Sequence, residues 1–400
     1  MDLTSPAPFW LLRNGLGAAP PPLPGNVRCD VVVIGAGITG ALVADALCAD
    51  GHSVVALDAR QPGLGSTAAS TAILQYEIDT HLVDLVERVG RARAEAAYRA
   101  CRHGLNYLRR TCRELGADID LHTRPSVYVA SRRDRVPALR AEARARQRLG
   151  LSCRVLSADE LRRRYGIEAP LALLSNTAAE ADPWRLTQAL LARAATRGLR
   201  VHGRTHAKAI EDDGAMLRVR TDRGDVRARH AIVACGYEAD AFLPEPVCRL
   251  HGTFALATDP LPAGQGVPGR ALVWETARPY YYLRGTDDGR VIIGGLDEPY
   301  RDGDRRDAAL ARKWKPLLAR AKRWLPGRAL VPAHAWAGVF GQTRDGLAYI
   351  GAHPRLDPRI TFALGYGGNG ITFSAVAAEV LAARVAGRRH RFAETFAFDR

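Results

Sequence analysis

The chain has 400 residues, 47% of them hydrophobic and 25% charged, with a formal net charge of +15 at pH 7. That length allows two domains with large hydrophobic cores, and the composition is that of an ordinary globular protein. No apolar run approaches the ~20 residues that a membrane span needs.

Only four of the 57 basic residues are lysine: Lys208, Lys313, Lys315 and Lys322. A phosphate-binding surface has no reason to exclude lysine, and the arginines spread along the whole chain. The charge therefore reads as a solvated surface, and nucleic acid is not an expected partner. The seven cysteines (Cys29, Cys48, Cys101, Cys112, Cys153, Cys235 and Cys248) form no CxxC pair. Their odd number and scatter fit reduced thiols. The apolar stretch Phe9 to Leu12 is too short for the core of a signal peptide, so a cytoplasmic location is expected.

In chain order, residues 1–26 contain a Pro-rich arm, Pro20-Pro21-Pro22-Leu23-Pro24-Gly25, read as an extended entry segment. Cys29 to Gly35 is an apolar run ending in glycine, the pattern of a buried parallel strand. A helix is predicted over Ile38 to Ala49, stopped by Gly51, and a second buried strand over Val54 to Asp58. Ala94, Tyr98, Cys101, Leu105, Leu108, Cys112 and Leu115 recur at steps of four and three, which predicts a helix over Arg91 to Leu115. Ser126 to Ala130 reads as a strand. Ser157-Ala-Asp-Glu160 is a capping box, and Asp182-Pro183 opens a helix closed by Gly198. Residues 200–235 read as a strand meander ending at Gly236, and 246–300 as strand-rich. Residues 305–325 read as helical, and a glycine-rich turn, Gly365 to Gly370, precedes a final helix to Ala386.

Gly35-Ala-Gly37-Ile38-Thr39-Gly40 is a G-x-G-x-x-G element placed between a predicted strand and a predicted helix, the context this motif requires. Gly35 allows the tight turn, Gly37 lets a pyrophosphate approach, and Gly40 permits close helix–strand packing. The helix N-terminus offers free N–H groups to the phosphates. Asp58, followed by Ala59 and Arg60, ends the second strand, where a carboxylate accepts ribose hydroxyls. Small and hydroxyl residues follow at Gly65, Ser66 and Thr67. This fingerprint alone serves NAD or FAD. A second glycine-rich helix start near the C-terminus is unnecessary for NAD and suits FAD, whose isoalloxazine lies far from its adenine.

Together these residues resemble the D-amino-acid oxidase, glycine oxidase and sarcosine oxidase family of flavoproteins. The likeness runs from about Asp30 to Ala386. It is specific at Asp30 to Gly40 with Asp58 and Gly65-Ser66, at Ile232-Val-Ala-Cys235-Gly236, and at Phe340 to Gly351 followed by Gly365 to Gly370. The resemblance implies an α/β fold with a discontinuous Rossmann-like FAD-binding domain (27–115, 150–245 and 333–390). A smaller α+β substrate domain with a mixed sheet would comprise 116–149 and 246–332. It also implies FAD contacts from Cys235, Gly236 and Gly338, with Gly367, Gly368, Asn369, Gly370 and Ile371 by the flavin's pyrimidine edge. Some sarcosine oxidases attach the flavin to a cysteine before the Thr-x-Asp element. Trp336 to Gln342 has none, so FAD is expected to bind non-covalently.

The activity implied is oxidation of an amine or amino acid by hydride transfer to flavin N5, with dioxygen or an electron carrier as final acceptor. Arg284, on an aromatic strand, is the expected anchor for a substrate carboxylate. Tyr280 and Tyr282 share one face of that strand and are expected to line the pocket, with Gln75, Tyr76 and Tyr366 as further candidates. His202 and His206 lack the helical face that would join them, and Glu379 is expected to meet solvent or a structural partner, so no metal site is expected. A tRNA-modifying flavoprotein of the same fold and an NAD-dependent dehydrogenase are the alternative readings.

Overall fold

The computed structural model describes residues 1–400 throughout. Val31, Val32, Val33 and Ile34 are all buried because their strand, Val27–Ile34, lies inside a sheet covered on both faces. It pairs in parallel with Val54–Leu57 on one side and Asp225–Val233 on the other. Ile360–Leu364 extends the sheet in parallel beyond Asp225–Val233, Arg200–His202 extends it beyond Val54–Leu57, and Tyr349–Ala352 forms an antiparallel edge. Side chains alternate across the strand. Val31 and Val33 face a core shared with the helices Ile38–Ala49, Arg91–Leu115, Pro183–Ala195 and Gly370–Val385. Val32 and Ile34 face the meander of Ala207–Asp213 and Met216–Thr221.

One consequence of this order fixes the site. Val27–Ile34, Asp225–Val233 and Ile360–Leu364 are parallel neighbours, so their carboxyl ends meet at one sheet edge. The turns that follow them, at Gly35, Gly236 and Gly365, are thereby gathered although they lie far apart in sequence.

The second sheet has nine strands, mostly antiparallel, with one parallel pairing between His122–Val129 and Leu272–Glu275. The helix Gly303–Trp324 packs on it. Strand pairing divides the chain differently from the expected domain boundaries. Arg154–Ser157 and Leu171–Glu180, expected in the FAD-binding part, hydrogen-bond within this second sheet. Ile73–Leu74 pairs there too, and Pro332–Thr343 runs along Cys248–Thr258 for most of its length. A strand's sheet is decided by its distant partner, which local pattern does not reveal.

The N-terminal arm also departs from a plain extended segment. Ser5 N donates to Ala337 O, and Val339 N donates to Leu3 O, so residues 3–5 continue the second sheet. Phe9–Asn14 forms a helix in which Trp10 is wholly buried and Phe9 stacks on Trp336. No helix is long and apolar enough to cross a membrane.

Candidate functional site

A cavity with about 1930 Å³ of empty space, open solvent at its mouth included, runs between the two sheets. Gly35, Gly37, Ile38 and Thr39 line it from the N-terminal turn, and Gly367, Gly368, Gly370 and Ile371 from the C-terminal one. The two helix starts touch directly, with Thr39 Oγ1 and Ser374 Oγ 2.7 Å apart.

The N-terminal turn is built for close approach. Gly35 has φ +101°, a backbone state that favours glycine, and a Cβ there would stand 2.5 Å from Ala234 O. A Cβ on Gly40 would come within 1.8 Å of Gly35 O, so this glycine lets the helix seat against the strand. Gly40 does not itself reach the cavity. Thr67 Oγ1 accepts from Ile38 N at 3.0 Å, which ties the Gly65–Ala69 segment to the helix start.

Asp58 lines the cavity and accepts from Ala36 N and Arg60 N, both at 2.8 Å. Burial pushes its carboxyl above the usual range, and those two N–H groups oppose the push. A carboxylate with two donors retains lone pairs for a ribose. Arg60 also lines this end, but its guanidinium is held by Glu238 through two 2.7 Å contacts and by Met1 O. Burial alone would raise Glu238; Arg60 and the N-terminal ammonium hold it below the usual carboxylate range. Ala59, Gly65, Ser66, Thr67, Cys235, Gly236 and Gly338 also line the wall. Burial pushes the Cys235 thiol up to about 12, so it remains a neutral wall residue at physiological pH.

Helix N–H groups, glycines without Cβ and a ribose-ready carboxylate on one side, with a second helix start on the other, fit an extended dinucleotide such as FAD. The residues that would hold it are Gly37, Ile38, Thr39 and Asp58 at the first turn, with Gly367, Gly368 and Gly370 at the second.

The remaining candidates divide. Tyr280, Tyr282, Gln75 and Tyr366 line the cavity, and the two strand tyrosines sit with ring centroids 5.8 Å apart. Gly294 makes room for Tyr282, because a Cβ there would meet its ring at 2.5 Å. Tyr76 is buried below the wall, donating to Ser152 O. Asn369 is not a wall residue; its amide donates to Gln75 O at 3.3 Å and Glu77 O at 2.6 Å and so braces the turn.

Arg284 does not serve as a carboxylate anchor in the cavity. It is 2% exposed, and its Nη1 donates to Thr71 O, Ala72 O and Ala181 O at 3.0–3.1 Å. Its Nε donates to Gly285 O and lies 3.4 Å from Glu180 Oε2. Its Nε and Nη1 are thus used within the protein, and Arg284 is not among the residues that line the cavity.

Besides Glu238, two wall carboxylates went unnoticed in the sequence. Asp297 lies within the strand Val291–Pro299, in a β-bulge opposite Thr253, after Leu296 at φ +61°. Burial pushes it up to about 6, Thr253 opposes, and the Asp79 charge adds to the push. Asp79 accepts from Gly368 N at 3.0 Å, and burial raises it too. The signal that could have pointed to Asp297 is the Gly294-Gly295 pair, since glycines inside a strand mark close approach of another group.

Away from the cavity, His103, Glu379 and His390 cluster, with His103 Nε2 2.6 Å from Glu379 Oε2. Arg391 donates to His103 Nδ1 and Phe392 N to His390 Nδ1, which leaves the protons of both neutral rings on Nε2. That arrangement ties the C-terminal tail to the final helix and does not suit a cation.

The FAD-dependent oxidoreductase (DAO) family model matches residues 30–384. Glycine oxidase of Bacillus licheniformis is 27% identical over 378 residues, covering 90% of this chain and 94% of the relative. Gamma-glutamylputrescine oxidoreductase of Escherichia coli is 27% identical over 380 residues, covering 92% and 86%. The structure of glycine oxidase from Geobacillus kaustophilus superposes with a TM-score of 0.77 at 21% identity, over 92% of this chain and 98% of that one. With the match spanning most of its length and the cavity built for a dinucleotide, the chain belongs to the DAO family of FAD-dependent oxidoreductases.

Proposed function

We propose that the enzyme oxidises the C–N bond of a small amine, giving an imine that water hydrolyses to a carbonyl compound and a released amine or ammonia. Bound FAD supplies the two-electron acceptor that no side chain here can provide. The observation that carries the reading is the single cavity. It passes from the N-terminal glycine turn to the C-terminal one and continues into a chamber walled by Tyr280, Tyr282 and Trp274. Two of the relatives are named for glycine and gamma-glutamylputrescine, both amines.

The chain's own residues orient and dry the substrate. The faces of Tyr280 and Tyr282 exclude water from the reacting carbon and limit its approach to one side. An amine must lose its ammonium proton before it gives up a hydride, and enclosure between the apolar ring faces, which disfavours a charged amine, promotes that loss. The Gly370–Val385 helix presents its N-terminus to the cavity, a partial positive charge that favours a negative ligand there.

The test is anaerobic mixing of the FAD-loaded protein with a panel of amines and amino acids. Bleaching of the visible flavin band by at least one amine is expected, and admitting air then separates an oxidase from an enzyme that needs an electron carrier. A protein whose bound flavin no amine or amino acid bleaches would refute the reading.

A further inference from the structure

Buried carboxylates in this chain are neutralised with near uniformity. The six acidic residues buried below the surface are Asp45, Glu77, Glu142, Glu180, Asp182 and Glu275. Each has an arginine nitrogen within 4.0 Å. In a chain with 57 basic and 42 acidic residues this is the arrangement expected, since an unpaired buried charge is costly. Asp79 and Asp297, half-buried in the cavity wall, stand outside that set. Both stand in the chamber wall beside Tyr280, yet neither makes an ion pair within 4.0 Å.

Nothing else in the wall supplies the missing charge. Its only basic residues are Arg60 and His206. Arg60 is at the Asp58 end, locked to Glu238; His206 adjoins Thr205, whose N–H is bonded to Asp58 O. Arg278 lies over the Tyr280 ring at 4.8 Å and donates to the backbone oxygen of Asp79, but it is exposed and is not a wall residue. A separate observation points the same way. Gln75 is 8% exposed and lines the same cavity, and its Oε1 has no hydrogen-bond partner. Two carboxylates and an unsatisfied carbonyl oxygen form a set of acceptors that calls for a ligand rich in donors and positive charge.

Resting on the amine-oxidising reading, we infer that Asp79 and Asp297 form a cation-recognition pair that selects an aliphatic amine with a second positive group and no α-carboxylate. Arg278 and Lys313 act on these carboxylates only from beyond 4.0 Å, and a dication balances the pair at close range. An α-amino acid would bring a carboxylate into a chamber whose wall holds no cation to receive it. The site therefore disfavours the zwitterion as well as favouring the dication.

The experiment uses the FAD-loaded protein and three five-carbon ligands: the terminal diamine of pentane, pentylamine and norvaline. Binding is read from perturbation of the flavin spectrum and from thermal stabilisation, and turnover from anaerobic bleaching. The diamine is expected to bind at least about tenfold more tightly than pentylamine, with norvaline weakest. Asp297→Asn and Asp79→Asn are each expected to cut the diamine's affinity by about tenfold while changing that of pentylamine less. Norvaline binding as tightly as the diamine, or Asn variants that keep the diamine preference, would overturn the inference. Should either variant fail to fold, the three-ligand ranking on the unaltered protein decides alone. If norvaline alone bleaches the flavin, amine oxidation stands and the cation pair falls; if no amine or amino acid does, amine oxidation itself is wrong.

Discussion

Replacing Arg284 tests whether it holds the fold or the substrate. Arg284→Met keeps the length of the side chain and removes four donated hydrogen bonds, three of them from Nη1 to the carbonyls of Thr71, Ala72 and Ala181. It also removes the cation 3.4 Å from Glu180 Oε2 and the guanidinium packed 5.4 Å from the Trp10 ring centroid. Leaving the partner of a buried charge behind costs about 3–5 kcal/mol. Here the lower part of that range applies, because Glu180 keeps Arg124 at 2.7 Å and water can reach some of the freed carbonyls. That is a large fraction of the ~5–15 kcal/mol by which domains are stable. Urea unfolding of the FAD-loaded protein at fixed FAD concentration is expected to show a clearly lowered midpoint. The relative affinities for norvaline and pentylamine should hold, because Arg284 does not line the cavity. An unchanged midpoint, together with selective loss of norvaline binding, would refute the structural role and restore Arg284 as a carboxylate anchor.

Gly40→Ala is expected to abolish FAD retention, since the new Cβ would lie 1.8 Å from Gly35 O, a backbone atom that cannot move without opening the turn; the flavin content of the purified protein checks this. Asp297→Asn is expected to stabilise the apoprotein above about pH 6 and not below about pH 4. Burial raises the folded-state pKa to about 6 from 3.8, so the unmodified protein loses stability as pH rises through that window and the variant does not; thermal melts across pH report the difference. Deleting residues 1–14 is expected to lower Tm and weaken FAD binding together, because Trp10 is 0% exposed and Leu3 lines the cavity; a truncated protein with unaltered Tm and flavin content would show the arm to be dispensable.

What the sequence disclosed follows from how local each cause is. The turn at Gly35, the helix Ile38–Ala49 and the carboxylate at Asp58 are fixed by spacing within one βαβ unit, and the structure has all three at the cavity's first end. The stripe on Arg91–Leu115 was legible because its buried face is apolar, from Ala94 to Cys112. The helix Val136–Arg148 was not, because its buried face alternates Leu139 and Ala143 with Glu142 and Arg146. Those two charged residues pair at 2.6 Å, and Glu142 also accepts from Leu82 N and Val83 N at the start of another helix. A stripe half made of satisfied charges has no hydrophobic period to detect.

The substrate end was harder for a related reason. Tyr280, Tyr282 and Arg284 share one strand face, so alternation gave all three the same claim to the pocket. Each two-residue step along a strand moves a side chain roughly 6–7 Å, enough to carry the third beyond the chamber and under the Thr71–Ala72 carbonyls. Periodicity therefore assigns a face but not a depth along it. Depth is set by whichever segment crosses the strand, and here that segment comes from more than two hundred residues earlier. Asp79 and Asp297 enter the wall through the same kind of long-range crossing, on a loop and within a bulge, where the strand period is broken. Their significance lies in standing half-buried in one cavity wall with no ion pair within 4.0 Å, which is a property of the folded charge arrangement and not of any stretch of chain.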